Sequence, residues 1–412
     1  MLPVVPVSPI KLADYAEPAG EEAVERLREA AAPLRGAKIV HVNSTAFGGG
    51  VSELLQTQLG LLADLGIEAT WQLIQGNDEF FAVTKAVHNG MQGADVEWTE
   101  EMRDIYADRL LENAAQFTET GDFHFIHDPQ PAALLSILEK QGRRTGKWLW
   151  RCHIDTSAPK SEVWDFYVPF INRYDAAIFT MPQYLGPGID GPKLAYITPT
   201  IDPLSMKNVY FDPDTAFAVL RHYGVDRQRP VILQVSRFDP WKDPLGVIDA
   251  FTLAQKEHPD AQLVMVGSMA HDDPEGWDFL KMTRDHAAGN PDIHLLTNLE
   301  QVGNLEVNAF QRSATVVLQK SIREGFGLTV SEAMWKKKPV IGGRVGGITL
   351  QIEDGETGFL VDSVEECAER ISTLLAEPSL RYRMGNAGRE RVRDRFLTLR
   401  ELEDYLRLMA TL

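Results

Sequence analysis

Two glutamates flank a glycine turn in the segment Glu324-Gly-Phe-Gly-Leu-Thr-Val-Ser-Glu332. Apolar residues at helical spacing follow the turn, so it should expose backbone N–H groups at the start of a helix, where anions bind. Glu324 precedes the turn, and Glu332 lies about two helical turns further on. The two carboxylates could accept hydroxyl hydrogen bonds on either side of a diphosphate, as a nucleotide sugar requires. The plainer interpretation is a loop followed by a capped amphipathic helix.

Two basic residues, Arg237 and Lys242, follow the predicted strand 230–236. Ligands of α/β sheets bind at the C-terminal ends of the strands, so a guanidinium and an ammonium at this point could clamp a diphosphate. For this motif taken alone, a surface ion pair with Asp239 or Asp243 is a serious alternative. The carboxylate pair in the same half of the chain favours the phosphate-binding role.

The first half of the chain also carries polar residues at predicted strand ends. Asp128 follows one strand, and Arg151, His153 and Asp155 alternate along one face at the end of the next. These residues are candidates for contacts with a second substrate. A purely structural role is equally open, since a single histidine or carboxylate at a strand end is often hydrogen-bonded within the protein.

A glycine loop, Gly48-Gly49-Gly50, separates the predicted strand 38–43 from an amphipathic helix. It could be a tight turn, a close approach of the backbone to a phosphate or sugar, or a hinge. It is not a Rossmann fingerprint, because Glu53 occupies the third glycine position.

The elements around these motifs form two α/β series within 412 residues, which predicts two doubly wound, Rossmann-like domains facing each other across a cleft. The predicted boundaries are 1–205 for the N-terminal domain and 206–391 for the C-terminal domain, with the helix at about 392–412 completing the first. Strands are predicted at 38–43, 68–74, 123–127, 148–153, 176–179 and 193–197, and then at 230–236, 261–267, 294–296, 314–318 and 339–342.

Composition excludes several classes of function. The net charge of −18 argues against nucleic acid as a partner. The two cysteines, Cys152 and Cys367, lie in different halves and suit a reducing cytoplasm. The proline-broken N-terminus does not resemble a signal peptide, and no apolar run is long enough for a membrane span. The acidic loop 271–276 matches no metal-binding template, so we expect no dedicated metal site.

Taken together, these motifs resemble the retaining nucleotide-sugar glycosyltransferases of the GT-B fold, which include glycogen synthase-like and sucrose synthase-like enzymes. The glycine loop, the basic pair and the E-x7-E pair stand in the expected order across essentially the whole chain. Longer phrases are similar to the trehalose glycosyltransferring synthases of thermophilic prokaryotes. These phrases are HVNSTAFGGGV (41–51), HDPQPAA (127–133), WLWRCHID (148–155), VSRFDPWK (235–242) and SIREGFGLTV (321–330).

The resemblance implies roles for the donor half. Glu332 should hold the ribose and Glu324 the donor hexose, while Arg237 and Lys242 should neutralise the departing diphosphate. The remaining donor contacts should come from the backbone of Gly49, Gly50, Phe326, Gly327 and Leu328. The basic run 336–338 after the helix is a departure from the usual context, and we expect it to touch none of these contacts.

For the other half, the resemblance places His153 near the transferring hexose, with Asp128, Arg151 and Asp155 as acceptor contacts. The implied reaction joins glucose from ADP-, UDP- or GDP-glucose to free glucose, reversibly, giving α,α-trehalose. No carboxylate is an obvious nucleophile, so a same-face transfer is expected. No tightly bound cofactor is expected beyond Mg²⁺ accompanying the diphosphate, and a homodimer is the expected assembly.

Three alternatives remain open. The acceptor could differ, giving a sucrose-, glucosylglycerate- or glycan-forming transferase. The chain could be a trehalose phosphorylase acting on glucose 1-phosphate. It could also be a nucleotide-sugar sensor without turnover, although a sensor has no need of leaving-group stabilisers such as Arg237 and Lys242.

Overall fold

The computed structural model describes residues 1–46, 50–269 and 274–412, and the side chains of residues 274 and 275 are left aside. The chain divides into two compact units. Unit 1 comprises residues 1–199 and 398–412, and unit 2 comprises residues 200–397. The units therefore change at 199/200 and 397/398, each six residues from the boundaries predicted at 205/206 and 391/392.

The secondary structure alternates between strands and helices along almost the whole chain. The strands are β1 Lys38–Asn43, β2 Glu68–Leu73, β3 Phe123–His127, β4 Lys147–Arg151, β5 Ala176–Phe179, β6 Lys193–Tyr196, β7 Val231–Val235, β8 Gln262–Gly267, β9 Ile293–Thr297, β10 Val316–Gln319, β11 Val340–Gly343 and β12 Gly358–Val361. The helices are α1 Ala16–Ala19, α2 Glu21–Ala31, α3 Gly50–Asp64, α4 Asp78–Met91, α5 Glu100–Gln116, α6 Leu134–Lys140, α7 Ser161–Ile171, α8 Pro213–His222, α9 Pro244–Gln255, α10 Pro274–His286, α11 Asn304–Ser313, α12 Leu328–Trp335, α13 Ile348–Gln351, α14 Val364–Ala376, α15 Pro378–Arg395 and α16 Thr398–Met409.

Unit 1 is built on a six-stranded parallel sheet in the order β2-β1-β3-β4-β5-β6. The residues of its inner strands β1, β3, β4 and β5 are almost all buried, as expected of a sheet covered by helices on each side. On one face, Phe125 of β3 packs edge-on against Tyr405 of α16 and shares a buried apolar cluster with Leu27 of α2 and Leu402 of α16. The C-terminal helix is thus part of the core of unit 1, although unit 2 precedes it in the chain.

Unit 2 repeats the architecture with the strand order β12-β11-β10-β7-β8-β9, and all of the recorded strand pairs are parallel. β7 and β10 are central neighbours, so the loops that follow them emerge side by side at the C-terminal edge. The edge strand β12 was not predicted. Its four residues, Gly-Phe-Leu-Val, form a run too short for a period to be recognised.

Candidate active site

The loop after β10 positions Glu324 among three hydrogen-bond donors. Its Oε2 accepts from Lys242 Nζ at 2.6 Å, from Gln319 Nε2 at 3.1 Å and from Ser321 Oγ at 3.1 Å. The Glu324 side chain is 10% exposed and that of Lys242 14% exposed. These bonds fix the orientation of the carboxylate. A fixed orientation is required of a group that binds one particular substrate hydroxyl.

The glycine turn that follows has the geometry expected of an anion-binding helix start. Gly327 is the N-cap of α12 with a φ of +81°, and no side chain caps this end. A Cβ at Gly327 would lie 3.1 Å from Glu324 Cγ, so glycine serves here both the left-handed backbone and the close approach. The neighbouring loop adds support, because Gln351 Nε2 donates to Phe326 O at 2.5 Å. Leu328 begins α12 directly behind this turn.

Glu332, about one turn into α12, is 2% exposed. Its Oε2 accepts from Gln311 Nε2 at 3.0 Å, and Lys207 Nζ lies 3.9 Å from its Oε1. The next turn brings Lys336 back onto this residue, with Nζ donating to Glu332 O at 3.1 Å and to Asn208 Oδ1 at 2.7 Å. The expectation that the basic run 336–338 touches no inferred contact is therefore wrong, because position 336 lies one helical turn from Glu332.

The two basic residues after β7 have separate partners. Arg237 is 60% exposed, and its Nη2 lies 3.0 Å from Asp239 Oδ2, which is the surface ion pair considered as the alternative. Lys242, by contrast, is joined to Glu324, a partner that no local spacing indicated. A third cation, Lys320, pairs with Asp243 at the start of α9.

Sequence reasoning overlooked the polar residues at the end of β10, Gln319-Lys320-Ser321, which supply donors to Glu324 and an ion pair. Their position at a strand end was the available signal. Gln234, near the end of β7, donates to Ser236 Oγ at 3.2 Å and to Lys242 O at 3.0 Å. Its Oε1 accepts from Lys320 N at 3.2 Å, so Gln234 joins the loop after β7 to the loop after β10.

In unit 1, Asp128 and His153 meet at the edge formed by β3 and β4. Asp128 has a φ of +64°, and its Oδ1 accepts from the backbone N–H of His153 at 2.7 Å. Burial raises the pKa of Asp128 to about 7, against the opposing effects of the His153 N–H and of the Arg151 charge. A carboxyl group with such a pKa exchanges its proton near neutrality.

Arg151 and Asp155 are both buried in unit 1. Arg151 is 0% exposed, and its Nη2 donates to Ile197 O at 2.7 Å. Asp155 is 5% exposed, and its Oδ1 accepts from Ser157 N at 3.0 Å. Arg151 is the last residue of β4, and its role as an acceptor contact stays a prediction.

His153 is the outer member of a row of three imidazoles. His127 Nδ1 lies 3.2 Å from His153 Nε2, and His127 Nε2 lies 3.0 Å from His41 Nδ1. Burial lowers the pKa of His41 to about 3 and holds the pKa of His127 and His153 well below the ordinary value. All three rings are therefore neutral at physiological pH.

Some of the predicted features fall outside the described residues. Gly48 and Gly49 are among them, whereas Gly50 begins α3. Residues 271–273 of the acidic loop also lie outside. In the described ranges, no three His, Cys, Asp or Glu side chains come together as metal ligands. None of the helices described there has both the length and the hydropathy of a transmembrane span.

Comparisons with known proteins match both halves of the chain. A family model named trehalose synthase, N-terminal domain, matches residues 41–186, and the model for glycosyl transferases group 1 matches residues 220–391. A trehalose synthase of Rubrobacter xylanophilus is 50% identical over 404 residues, which is 97% of each chain. A trehalose synthase of Pyrococcus horikoshii is 47% identical over 98% of this chain and 96% of its own length.

A solved structure shows the same fold. An α,α-trehalose-phosphate synthase (UDP-forming) from Burkholderia xenovorans, in complex with glucose 6-phosphate, superposes with a TM-score of 0.74. It is 15% identical, and the match covers 91% of this chain and 100% of that chain. The chain therefore belongs to the trehalose synthase family of GT-B glycosyltransferases, and it is a hexosyltransferase.

Proposed function

We propose that the protein transfers glucose from a nucleoside-diphosphate glucose to free glucose, reversibly, and forms α,α-trehalose. The observation that carries the donor side is Glu324, held by Lys242, Gln319 and Ser321 beside the glycine-capped start of α12. Family membership supports the product, because the two relatives reported above are named trehalose synthases.

On the donor side, each residue has a separate role. The N–H groups of Phe326, Gly327 and Leu328 hold phosphate or sugar oxygens, and Glu324 accepts from the donor hexose. Glu332 accepts from the ribose. Gly49 and Gly50 complete the donor contacts in this proposal.

Lys242 and Arg237 stabilise the diphosphate as negative charge grows on it in the transition state, so they act on rate more than on binding. Lys242 is already fixed by its ion pair with Glu324. Arg237, at 60% exposure, can leave Asp239 for a phosphate at small cost, because exposed ion pairs are weak.

The acceptor half rests on Asp128, with His153 beside the transferring hexose and with Asp155 and Arg151 behind them. Given the burial of Arg151, its contribution in this proposal is the positive charge it supplies under the site. Transfer proceeds on one face of the donor, and the departing phosphate oxygen takes the proton of the acceptor hydroxyl. Isolation of a covalent glucosyl-enzyme on Glu324 would contradict this mechanism.

The test is incubation of the purified protein with glucose and with ADP-, UDP- or GDP-glucose in turn. Trehalose and nucleoside diphosphate should appear together. Release of nucleoside diphosphate without trehalose would retain the donor half and direct the search to other acceptors, with sucrose-, glucosylglycerate- and glycan-forming reactions tested by a panel. Turnover of glucose 1-phosphate without any nucleotide would support a phosphorylase, and no turnover at all would favour a sensor.

Two further points belong to the proposal. No tightly bound cofactor takes part, and Mg²⁺ acts only by accompanying the diphosphate, so a chelator should lower the rate without unfolding the protein. The protein acts in the cytoplasm as a homodimer, which analytical ultracentrifugation of the intact chain would test.

A further inference from the structure

The row of imidazoles crosses three neighbouring strands on one face of the sheet in unit 1. His41 lies opposite Phe125, and His127 lies opposite Arg151, with His153 two residues beyond. The rings stack almost parallel, with centroids 5.3 Å apart for His41 and His127 and 5.5 Å apart for His127 and His153. Strand register places His41 and His127 on one face, because side chains two residues apart along a strand share a face. His153 follows β4, where its backbone N–H is bound by Asp128.

The neutral state of the rings constrains the direction of both hydrogen bonds. A neutral imidazole has one N–H donor and one acceptor nitrogen. If His41 donates to His127, then His127 must donate to His153. If His153 instead donates to His127, then His127 must donate to His41. The state of His41 at the inner end therefore decides which nitrogen of His153 carries the proton at the outer end.

His41 Nε2 favours one of these directions. It is buried and has no hydrogen-bond partner in the described parts of the chain. A proton on this nitrogen would be a buried donor without an acceptor, which is the rarer and more costly defect. A proton on Nδ1 instead makes His41 the donor to His127, and leaves only an unpaired lone pair on Nε2.

The groups that face the row agree with neutral rings. Arg151 from β4 is the buried cation beside His127 and His153, and the carboxyl of Asp128 accepts from the backbone of His153 rather than from its ring. From α16, Tyr405 packs edge-on against Phe125, and its hydroxyl donates to Glu401 Oε1 at 3.1 Å.

We propose that His127, supported by His41, is a positioning residue that fixes His153 with its proton on Nδ1, so that the reacting hexose meets a hydrogen-bond donor. His153 is only partly buried, and within the described ranges no protein group bonds to its Nδ1. The role at the hexose rests on the proposed function, whereas the tautomer does not.

The tautomer can be measured directly by long-range ¹H–¹⁵N spectra of the protein labelled in its ten histidines. The His153 signals are assigned by their loss in His153→Gln. In the native protein, the proton of His153 should be on Nδ1. In His127→Phe, which keeps an aromatic ring but no nitrogen, His153 should become a mixture of tautomers. A proton on Nε2 in the native protein, or an unchanged His153 in His127→Phe, would overturn the proposal.

His124 provides a matched control on the same strand. It is 0% exposed, and its ring stacks on Trp148 with the ring centroids 4.2 Å apart. It points to the other face of β3, three residues from His127. His124→Phe should therefore leave the His153 signals unchanged. His41→Phe, which breaks only the inner bond, is a second variant and should also produce a mixture of tautomers at His153.

Measurements of kcat distinguish a failure of this proposal from a failure of the proposed function. His127→Phe should lower kcat by about 10–100-fold, the scale of a misplaced contact, while His124→Phe should not. An equal loss in both variants would mean that His127 has only a structural role, against the proposal. If the native protein forms no trehalose from any donor, the proposed function fails, and the spectra alone then decide the tautomer.

Discussion

Replacement of Lys336 by methionine should change the pH dependence of stability in a predictable way. Burial lowers the pKa of Lys336 from 10.5 to about 7, an effect only partly opposed by the carboxylate of Glu332. Arg312 and Lys207 act in the same direction as burial. The side chain is 6% exposed, so solvent does little to screen these charges. Methionine has similar length and no ionisable group.

The sign follows from proton binding in the two states. Between pH 10.5 and about 7, the unfolded chain binds a proton on Lys336 that the folded protein does not, so the free energy of unfolding rises with pH across this window. A pKa difference of about 3.5 corresponds to about 5 kcal/mol when fully developed. About 3–4 kcal/mol of it develops between pH 7 and pH 10.

Lys336→Met removes this pH-dependent term but also removes a donor. Asn208 Oδ1 and Glu332 O lose their bonds, which should destabilise the variant by about 1–3 kcal/mol for each acceptor left unpaired. At pH 10 the variant should therefore be clearly less stable than the native protein. At pH 7 the two free energies of unfolding should be similar, because the native protein is then destabilised by the lowered pKa of Lys336.

The assay is urea unfolding of both proteins at pH 7 and pH 10. The difference between their free energies of unfolding should move in favour of Lys336→Met by about 3–4 kcal/mol as the pH falls. Met334→Leu is the control, since Met334 is fully buried in α12, the helix that Lys336 terminates, and neither methionine nor leucine titrates. A difference that moves by less than about 1 kcal/mol, or a ¹⁵N titration of Lys336 Nζ with a midpoint near 10, would refute the reasoning.

Two further predictions concern activity. Arg237→Ala and Lys242→Ala should each lower kcat by about 10²–10³-fold, measured by nucleoside diphosphate release at saturating donor, because each removes a charge that stabilises the leaving group; near-native kcat in either variant would reassign that residue. Because burial raises the pKa of Asp128 to about 7, and because the ionised form accepts from the acceptor sugar, kcat/KM for glucose should rise with pH through about 7. Asp128→Asn should be slower and lack this rise, and a rise that persists in the variant would exclude Asp128 as its source.

Local patterns were enough to predict the sheet strands other than β12 and the helix that carries Glu332. The spacing of apolar residues after Gly327 arises within the helix itself, and a left-handed N-cap favours glycine. The position of Arg237 and Lys242 at a strand end, and hence at the ligand side of the sheet, also follows from the chain alone.

The partners of these residues depend on the tertiary structure. Lys242 meets Glu324 across 82 positions, and His41 meets His127 across 86. Lys336 reaches back over 128 positions to Asn208. Each contact depends on strand order or on the path of a connecting segment, and side-chain periodicity carries no information about either.

The sequence by itself thus determined the two α/β series, the E-x7-E helix and the basic residues that follow β7, because these arise from interactions within a few residues. Only the tertiary structure decided that Arg151 is buried, that Lys336 supports Glu332 and that three histidines form one row. Those outcomes depend on which strands become neighbours and in what register, and thus on the packing of the whole unit.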